Sequence, residues 1–281
     1  MGLLKRWFGR SWEESEERVR EPEGFEDMKR KYGAVRASEL WKKAEAGDSD
    51  ACLAIAECFY ERAENDLAFR WLHKAADEMK RPEAMVLLVD YYRGYFLGFD
   101  VDLEKADWYL KKALDMESPK AYLKMASDHY SKYDSTEQEI MFGYYLKAAK
   151  LGDPEGQALV GRAYLEGKGI SQDYEEAFRW LSMSTDYKDA AYPLARCYLE
   201  GLGTKVNPEK AVEYLELAAG AHCLERDFAW EELLRLYEAG YGGEDKDKKA
   251  ERVRAEEAKG SKLMSEIAAS LYNGKSGNKR A

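Results

Sequence analysis

Apolar residues recur in steps of three and four along most of this chain, with polar residues between them. Such steps place the apolar groups on one face of a helix. The segments 153–184 and 189–220 each contain two stripes of this kind, separated by a stretch that carries two glycines. The stripes are Val160, Gly161 and Tyr164 followed by Ala177, Trp180 and Leu181, and Leu194, Ala195 and Tyr198 followed by Ala211, Tyr214 and Leu215. The pattern predicts pairs of helices joined by a glycine-bearing turn.

The same helical phrase opens six times, each time with a small residue. The intervals between these residues are 33, 37, 35, 34 and 39 positions. A period in the mid-thirties is typical of stacked helical hairpins, because a single hairpin cannot bury its apolar stripes alone. The six opening residues are Ala51, Ala84, Ala121, Gly156, Ala190 and Ala229.

The predicted helix boundaries carry helix-capping residues. Three polar residues, each followed by proline, are expected to cap the next helix: Ser118, Asp153 and Asn207, before Pro119, Pro154 and Pro208. Four glycines lie between paired helices and can adopt positive φ without a Cβ penalty: Gly167, Gly169, Gly201 and Gly203.

Residues 164–181, YLEGKGISQDYEEAFRWL, resemble the Sel-like repeat (SLR) family, whose members are relatives of tetratricopeptide repeats. Further matching pieces are AFRWLHKAA at 68–76, DLEKADWYLKKAL at 102–114, YYLKAAKLGDPEGQA at 144–158 and YEAGYGG at 237–243. The resemblance covers roughly residues 38–260. It implies an all-α, right-handed α–α solenoid of about six hairpins whose first helices line a concave groove.

This organisation predicts a partly helical or flexible lead-in over 1–37, the repeat solenoid over 38–260, a capping helix over 261–273 and a disordered tail over 274–281. The first repeat, at residues 60–66, has no glycine turn. The third repeat, around 131–138, also lacks one, and a looser turn is expected there. The last second-helix stripe, Ala250, Val253 and Ala258, is thin, as in a terminal repeat with a polar outer face.

Charge and composition narrow the classes of partner. The 44 basic and 54 acidic residues give a net charge of −10, which argues against nucleic acid as the main ligand. The sequence contains no run of about 18 apolar residues, so no membrane span is predicted. The N-terminal segment 1–12, MGLLKRWFGRSW, is open to two interpretations: a weak amphipathic membrane anchor, or a start that is floppy or packs locally.

The four cysteines favour a reducing, cytoplasmic location. Cys58 and Cys197 occupy the same repeat position as Ala163, which suggests a small buried slot. Cys52 is interpreted as a reduced core cysteine as well, while a bridge between Cys197 and Cys223 stays open.

Candidate chemistry is sparse. The glycine pairs at 167–169 and 201–203 recur with the repeat and lack the dinucleotide-binding fingerprint, so they are assigned to turns. The three histidines, His73, His129 and His222, offer no zinc-ligand spacing, although His222 adjoins Cys223. No catalytic motif is present, and the sequence predicts a protein without enzymatic activity, metal or cofactor.

One column of the repeat carries a charge gradient. The position six residues after each opening small residue changes from acidic to basic along the chain: Glu57, Asp90, Ser127, Arg162, Arg196 and Arg235. Its basic half predicts a site for an acidic peptide, a carboxyl terminus or a partner helix. Pairing of Arg162 with Glu166 and of Arg196 with Glu200 is the alternative, whereas Arg235 has only Ala239 at the same offset.

A second candidate surface is the aromatic segment DYYRGYFLGF at 90–99. It holds more aromatic residues than one hairpin needs for its core, so Tyr95 and Phe96 are candidate interface anchors. Core packing is the alternative use of the same rings.

These observations predict a non-catalytic scaffold or adaptor that binds another protein or peptide in its concave groove. An inhibitor of a partner enzyme, such as the immunity protein of a toxin, is the alternative from another class. An enzyme is a third possibility, and it would require a pocket with a titratable pair of side chains. Partner identity and oligomeric state do not follow from the sequence.

Overall fold

A computed structural model describes residues 24–129, 134–185, 187–220, 226–243, 245–251 and 253–255. Throughout these ranges the regular structure is helical, and no strand occurs in them. The chain divides into two compact units, with the division between Met116 and Glu117. The N-terminal residues 1–12, the turn residues 131–133, His222, Cys223, the predicted capping helix 261–273 and the tail 274–281 lie outside the described residues.

The described part of unit 1 begins with two helices that pack on each other and on the first hairpin. These are α1, Phe25–Tyr32, and α2, Ala34–Glu45. Hairpin A pairs α3, Ser49–Glu61, with α4, Asn65–His73, which continues into a π-helical turn, Lys74–Glu78. Hairpin B pairs α5, Pro82–Tyr92, with α6, Leu103–Asp115.

Unit 2 continues the alternation of paired helices. Hairpin C comprises α7, Pro119–His129, and α8, Ser135–Lys150; hairpin D comprises α9, Pro154–Glu166, and α10, Tyr174–Met183. A 3₁₀ turn, Lys188–Ala190, precedes hairpin E, which comprises α11, Ala191–Glu200, and α12, Pro208–Gly220. Hairpin F comprises α13, Arg226–Glu238, and the helical residues 246–251 and 253–255. The predicted all-α hairpin array is confirmed.

The predicted apolar stripes form the cores of these hairpins. Val160, Leu181, Leu194 and Leu215 are all buried. The small residue Gly161 lets α9 and α10 approach closely, because a Cβ at that position would lie 2.6 Å from Leu181 Cγ. The thin last stripe also packs, since Ala250 is buried in the cluster that closes hairpins E and F.

Two of the three predicted caps are confirmed. Asp153 Oδ1 accepts a hydrogen bond from the Gly156 amide at 2.8 Å, and Asn207 Oδ1 accepts one from the Lys210 amide at 3.0 Å. The prediction for Ser118 is wrong for its side chain. Its hydroxyl is buried and has no hydrogen-bond partner among the described residues. Ser118 occupies the cap position through its carbonyl alone, which accepts from the Ala121 amide.

The turn glycines adopt the predicted left-handed conformation, with φ between 68° and 71° at the four positions. The second glycine of each pair also packs against the preceding hairpin. A Cβ on Gly169 would lie 2.1 Å from the Gln138 carbonyl oxygen, and one on Gly203 would lie 1.9 Å from that of Tyr174. Hairpin A reverses without glycine: a three-residue connection places Ala63 at φ 58°.

Candidate functional site

The three arginines of the basic column all lie in unit 2, at the same repeat position on successive first helices. Arg162 is on α9, Arg196 on α11 and Arg235 on α13. Arg235 is exposed, and Arg162 and Arg196 are half-buried. The repeat register therefore presents three guanidinium groups from the first-helix layer of this unit.

Carboxylates on their own helices accompany two of these arginines. Arg196 Nε lies 3.0 Å from Glu200 Oε1, the predicted i,i+4 pair, and the hydrogen bond that Arg196 donates to Glu200 is the main reason that the pKa of Arg196 is raised. Arg235 contacts Glu231 at 2.7 Å and Glu232 at 3.0 Å. The expectation that local pairing does not explain Arg235 is therefore wrong, because its partners precede it on the helix. Exposed pairs of this kind contribute about 0.2–1 kcal/mol each.

The acidic half of the column lies on the first helices of unit 1. Burial, followed by repulsion from Glu61, raises the pKa of Glu57 on α3. Asp90 on α5 accepts a hydrogen bond from the Tyr60 hydroxyl at 3.3 Å. Burial and the nearby Asp90 charge raise the pKa of Tyr60 to about 12. Of these two carboxylates, Asp90 is therefore hydrogen-bonded to a half-buried tyrosine of the preceding hairpin.

The aromatic segment 90–99 divides into packed and exposed rings. Tyr91 is buried, and Phe96 stacks on it with ring centroids 4.4 Å apart. Phe99 lies 4.9 Å from both Tyr91 and Phe69 of hairpin A. Tyr95, in contrast, is 65 % exposed. Most of the rings of this segment therefore pack against other rings, whereas Tyr95 is exposed.

A pocket of about 790 Å³ opens beside these rings, entirely within unit 1. We call it the aromatic pocket. Its lining comes from α4 and the π-helical turn, the end of α5, the turn of hairpin B and the start of α6. Four aromatic side chains contribute to the wall: Phe69, Tyr91, Tyr92 and Phe99. The volume lies within the range of small-ligand sites.

A directed hydrogen-bond chain runs along one wall of the aromatic pocket. His73 Nδ1 lies 2.7 Å from Asp77 Oδ2, and since a carboxylate only accepts, Nδ1 carries the proton. In the neutral imidazole, Nε2 then accepts from the Tyr92 hydroxyl, 3.0 Å away. The Tyr109 hydroxyl donates to the other Asp77 oxygen at 2.8 Å. Both branches of the network thus end on Asp77.

The network shifts the acidity of its members in opposite directions. Burial alone would raise the pKa of Asp77, but hydrogen bonds from His73 and Tyr109 outweigh it, and the pKa is lowered. Burial, with the neighbouring Asp77 carboxylate, raises the pKa of Tyr109. Burial also raises the pKa of Tyr92. At neutral pH the network therefore consists of one carboxylate and two protonated phenols.

Other candidate chemistry has structural roles. His129 Nδ1 lies 2.5 Å from Glu137, and its ring stacks on Tyr144. Cys52, Cys58 and Cys197 are buried cysteines outside any disulfide, and burial raises the pKa of Cys197 to about 11. No cluster of potential metal ligands occurs in the described ranges. None of the described helices combines the length and apolar character that crossing a membrane requires.

The repeat itself now identifies the family. The family model for the Sel1 repeat matches residues 49–78, 82–118, 142–153, 154–186 and 188–221, which together are more than half of the chain. The chain belongs to the Sel1 repeat family. Sel1 repeat proteins generally act as protein–protein interaction scaffolds and are typically non-catalytic. The Sel1 matches coincide with hairpins A, B, D and E, whereas hairpin C matches only over 142–153.

Solved structures of Sel1 repeat proteins share the fold. One is c5321, a protective antigen of uropathogenic Escherichia coli with an SLR fold. The TM-score is 0.55 and the sequence identity is 19 %, and the match covers 82 % of this chain and 50 % of the E. coli chain. The chain thus spans half the length of the E. coli protein. Another is a Sel1 repeat protein from Oxalobacter formigenes, with a TM-score of 0.53 and 23 % sequence identity. This match covers 73 % of this chain and 83 % of the other. No curated protein matches the sequence significantly.

Sequence reasoning about these Sel1 repeats missed the aromatic pocket and its network. The signal for half of the network was present, because His73 and Asp77 are four residues apart and so share a helix face. Tyr92 and Tyr109 were hidden because they fill ordinary aromatic repeat positions. Nothing in the local pattern indicates the π-helical turn that carries Asp77.

Proposed function

We propose that this protein is a non-catalytic scaffold that binds an acidic segment of a partner protein across the first-helix surface of unit 2. The observation that carries the proposal is the placement of Arg162, Arg196 and Arg235 at one repeat position on α9, α11 and α13. A segment lying across these helices would meet one guanidinium per hairpin, and each can hold a carboxylate through two parallel hydrogen bonds.

The carboxylates beside two of these arginines are compatible with binding. Glu200 and Glu231 are about half-exposed or more, so their pairs with arginine contribute little to stability and can be exchanged for a ligand carboxylate. They also lower the net positive charge of the surface. A partner must therefore offer several carboxylates in register, which gives selectivity for a spaced acidic sequence over any single acidic residue.

The aromatic turn of hairpin B supports a second contact in the same proposal. Tyr95 is the exposed ring that reaches a partner, and Phe96, stacked on Tyr91, holds the turn beneath it. Tyrosine is well suited to such a role, since it supplies a large contact area with few rotatable bonds. The burial of Cys52, Cys58 and Cys197 outside any disulfide supports a reducing, cytoplasmic location for this scaffold.

Comparative capture from the protein's own cells tests the proposal. Wild-type protein and an Arg162→Gln, Arg196→Gln, Arg235→Gln variant are immobilised, and recovered proteins are quantified by mass spectrometry. A control variant, Lys168→Gln with Arg179→Gln, removes two exposed charges outside the column. Circular dichroism first establishes equal helicity of all three proteins.

The expected result is one partner with an acidic segment that the triple variant loses and the control retains. A synthetic peptide of that segment should bind the wild-type protein at low salt and weaken as ionic strength rises. Equal recovery by the triple variant would refute the arginine column as the binding surface. Turnover of a recovered substrate would refute the non-catalytic assignment.

A further inference from the structure

We propose that the aromatic pocket of unit 1 binds a basic side chain, arginine or lysine, carried by a partner protein. The inference rests on the proposed interaction function for its choice of a protein ligand, but it concerns a different surface from the arginine column. Three observations support it: the origin of the cavity, the composition of its wall and the residues at its mouth.

The cavity exists because the turn of hairpin B departs from the other Sel1 turns. In hairpins B, D and E the backbone amide of the cap residue donates a hydrogen bond to the backbone carbonyl of the repeat tyrosine. The pairs are Asp102 and Tyr92, Asp173 and Tyr164, and Asn207 and Tyr198. This shared bond defines equivalent positions in the three turns. Counting back four residues from each cap gives Gly98, Gly169 and Gly203.

Two of these glycines touch the preceding hairpin, and one does not. A Cβ on Gly169 or Gly203 would collide with the backbone that starts the preceding second helix. A Cβ on Gly98 would meet nothing within 4 Å. The hairpin B turn also has one residue more between tyrosine and cap. The turn therefore stands off α4, and Phe99 faces the opening that results.

The wall of the aromatic pocket suits an organic cation. Phe69, Tyr91 and Phe99 form a mutual cluster, with ring centroids 4.9 to 5.3 Å apart. Aromatic faces attract cations, by about 0.5–2 kcal/mol depending on burial. A cation in this pocket is also partly removed from water, which strengthens its attraction to the carboxylates nearby.

The charges that line the pocket favour the same ligand. Four carboxylates line it, against three basic side chains. Lys105 pairs with Asp102 at 3.0 Å, so this pair cancels one charge of each sign, and Lys74 donates to the Ala44 carbonyl at 3.0 Å. Lys105 also lies over the Tyr92 ring. The four carboxylates are Asp77, Glu78, Asp100 and Asp102.

The mouth of the pocket points to a protein as the source of the cation. The hairpin B turn and the start of α6, which both supply lining residues of the pocket, carry exposed apolar side chains: Tyr95, Leu97, Val101 and Leu103. Leu97 is 99 % exposed. A free amine or guanidine would leave these groups in water, whereas a peptide with apolar residues beside its basic one would cover them.

Titration of the full-length protein with short peptides tests the inference. The probe is acetyl-Leu-Arg-Leu-amide, compared with the same peptide carrying lysine, citrulline or glutamate at its centre. Citrulline keeps the shape of arginine without its charge. Binding is followed by calorimetry and by shifts of the amide signals of residues 98–105. Free methylguanidine is the second arm, which separates a small cation from a peptide.

The arginine and lysine peptides are expected to bind about tenfold more tightly than the citrulline peptide, and methylguanidine more weakly than either. Phe99→Ala should weaken the arginine peptide about tenfold, and Asp100→Asn with Glu78→Gln should weaken it without disturbing the rings. The matched control is Ile170→Ala, which removes a side chain at the same turn position of hairpin D.

Four outcomes would overturn the inference: no binding of the arginine peptide, equal binding of the citrulline peptide, free methylguanidine binding as tightly as the peptide, or binding that survives Phe99→Ala. Each leaves the arginine column untouched. Conversely, the Arg162→Gln, Arg196→Gln, Arg235→Gln variant should bind the arginine peptide normally even if the acidic-partner proposal fails. The two proposals therefore fail separately.

Discussion

The same five residues, Ala-Phe-Arg-Trp-Leu, occur at 68–72 in hairpin A and at 177–181 in hairpin D. Each copy packs against the hairpin that follows it. Phe69 lies 5.8 Å from Tyr92, and Phe178 lies 5.4 Å from Tyr198. In both places the repeat tyrosine stacks on a second tyrosine 5.8 Å away, Tyr109 in one and Tyr214 in the other.

The two regions diverge immediately after this shared core. Leu72 is followed by His73, which enters the Asp77 network, whereas Leu181 is followed by the exposed Ser182. In unit 1 the turn glycine of the next hairpin, Gly98, has open space at its Cβ position. In unit 2 the equivalent Gly203 packs against the backbone of the preceding hairpin. The comparison teaches that the stacking core is independent of the site. One helical residue and one turn convert a closed junction between repeats into a lined pocket.

The largest effect on unfolding free energy is expected from substitution of the corresponding turn glycines. Gly203→Ala should cost about 3 kcal/mol of unfolding free energy, because it adds a backbone collision to the penalty of positive φ. Gly98→Ala should cost about 1 kcal/mol, since only the φ penalty applies. Urea unfolding followed by circular dichroism measures both.

The helical Gly143 provides the control for these substitutions. It has no positive φ and open space around its Cβ position, so Gly143→Ala should be neutral or stabilising by up to about 1 kcal/mol. Equal losses for Gly98→Ala and Gly203→Ala would show that the hairpin B turn is as closely packed as that of hairpin E.

A reciprocal exchange tests the next residue along the helix. His73→Ser should cost about 1–2 kcal/mol, because it leaves the Asp77 carboxylate and the Tyr92 hydroxyl short of a partner. Ser182→His should change stability by less than about 0.5 kcal/mol, since Ser182 is exposed. Thermal and urea unfolding measure both variants. Similar losses of unfolding free energy for His73→Ser and Ser182→His would contradict the comparison.

The network also predicts a pH dependence that arises in unit 1. The pKa of Asp77 is lowered below its usual value of 3.8 in the folded protein, so its carboxylate stabilises the fold above that value. This contribution should disappear as the pH falls through the lowered folded pKa. The difference in unfolding free energy between wild type and Asp77→Asn, measured from pH 7 to pH 2, should therefore shrink below about pH 4. A difference that is constant with pH would contradict the hydrogen-bonded carboxylate.

The smallest expected effect concerns the arginine column. Glu200→Gln with Glu231→Gln should change stability by less than about 1 kcal/mol, because both ion pairs are exposed. The same variant should bind an acidic partner peptide more tightly, since the competing carboxylates are gone. Unchanged or weaker binding, measured by fluorescence anisotropy at low salt, would count against ligand exchange at these arginines.

The periodic features were predictable from sequence because a short-range rule governs each. The stripe positions, the Asp153 and Asn207 caps and the left-handed turn glycines all follow from local spacing. The failures involve choices that spacing leaves open. Ser118 has the right residue type for a cap, but its hydroxyl is buried and has no hydrogen-bond partner among the described residues. Arg235 pairs with Glu231, four residues before it, whereas the prediction considered only the residue four positions after it.

The candidate site was less predictable for a related reason. The excess of aromatic residues at 90–99 was visible, and so was the four-residue step from His73 to Asp77. Their meeting depends on how far one turn stands from the preceding hairpin, which is a property of two repeats together. A single repeat motif carries no information about that distance.

The π-helical turn at Lys74–Glu78 has a consequence for how this array can evolve. Such a turn accommodates a residue more than an α-helical turn, and one residue corresponds to a rotation of about 100° around the helix axis. Losing one residue between His73 and Asp77 would shorten their step from four to three and change the hydrogen bond between them, whereas the stacked rings of hairpin B lie on α5 and α6. A single-codon insertion or deletion at this junction would thus alter the wall of the aromatic pocket and leave the residues of the stacked rings unchanged.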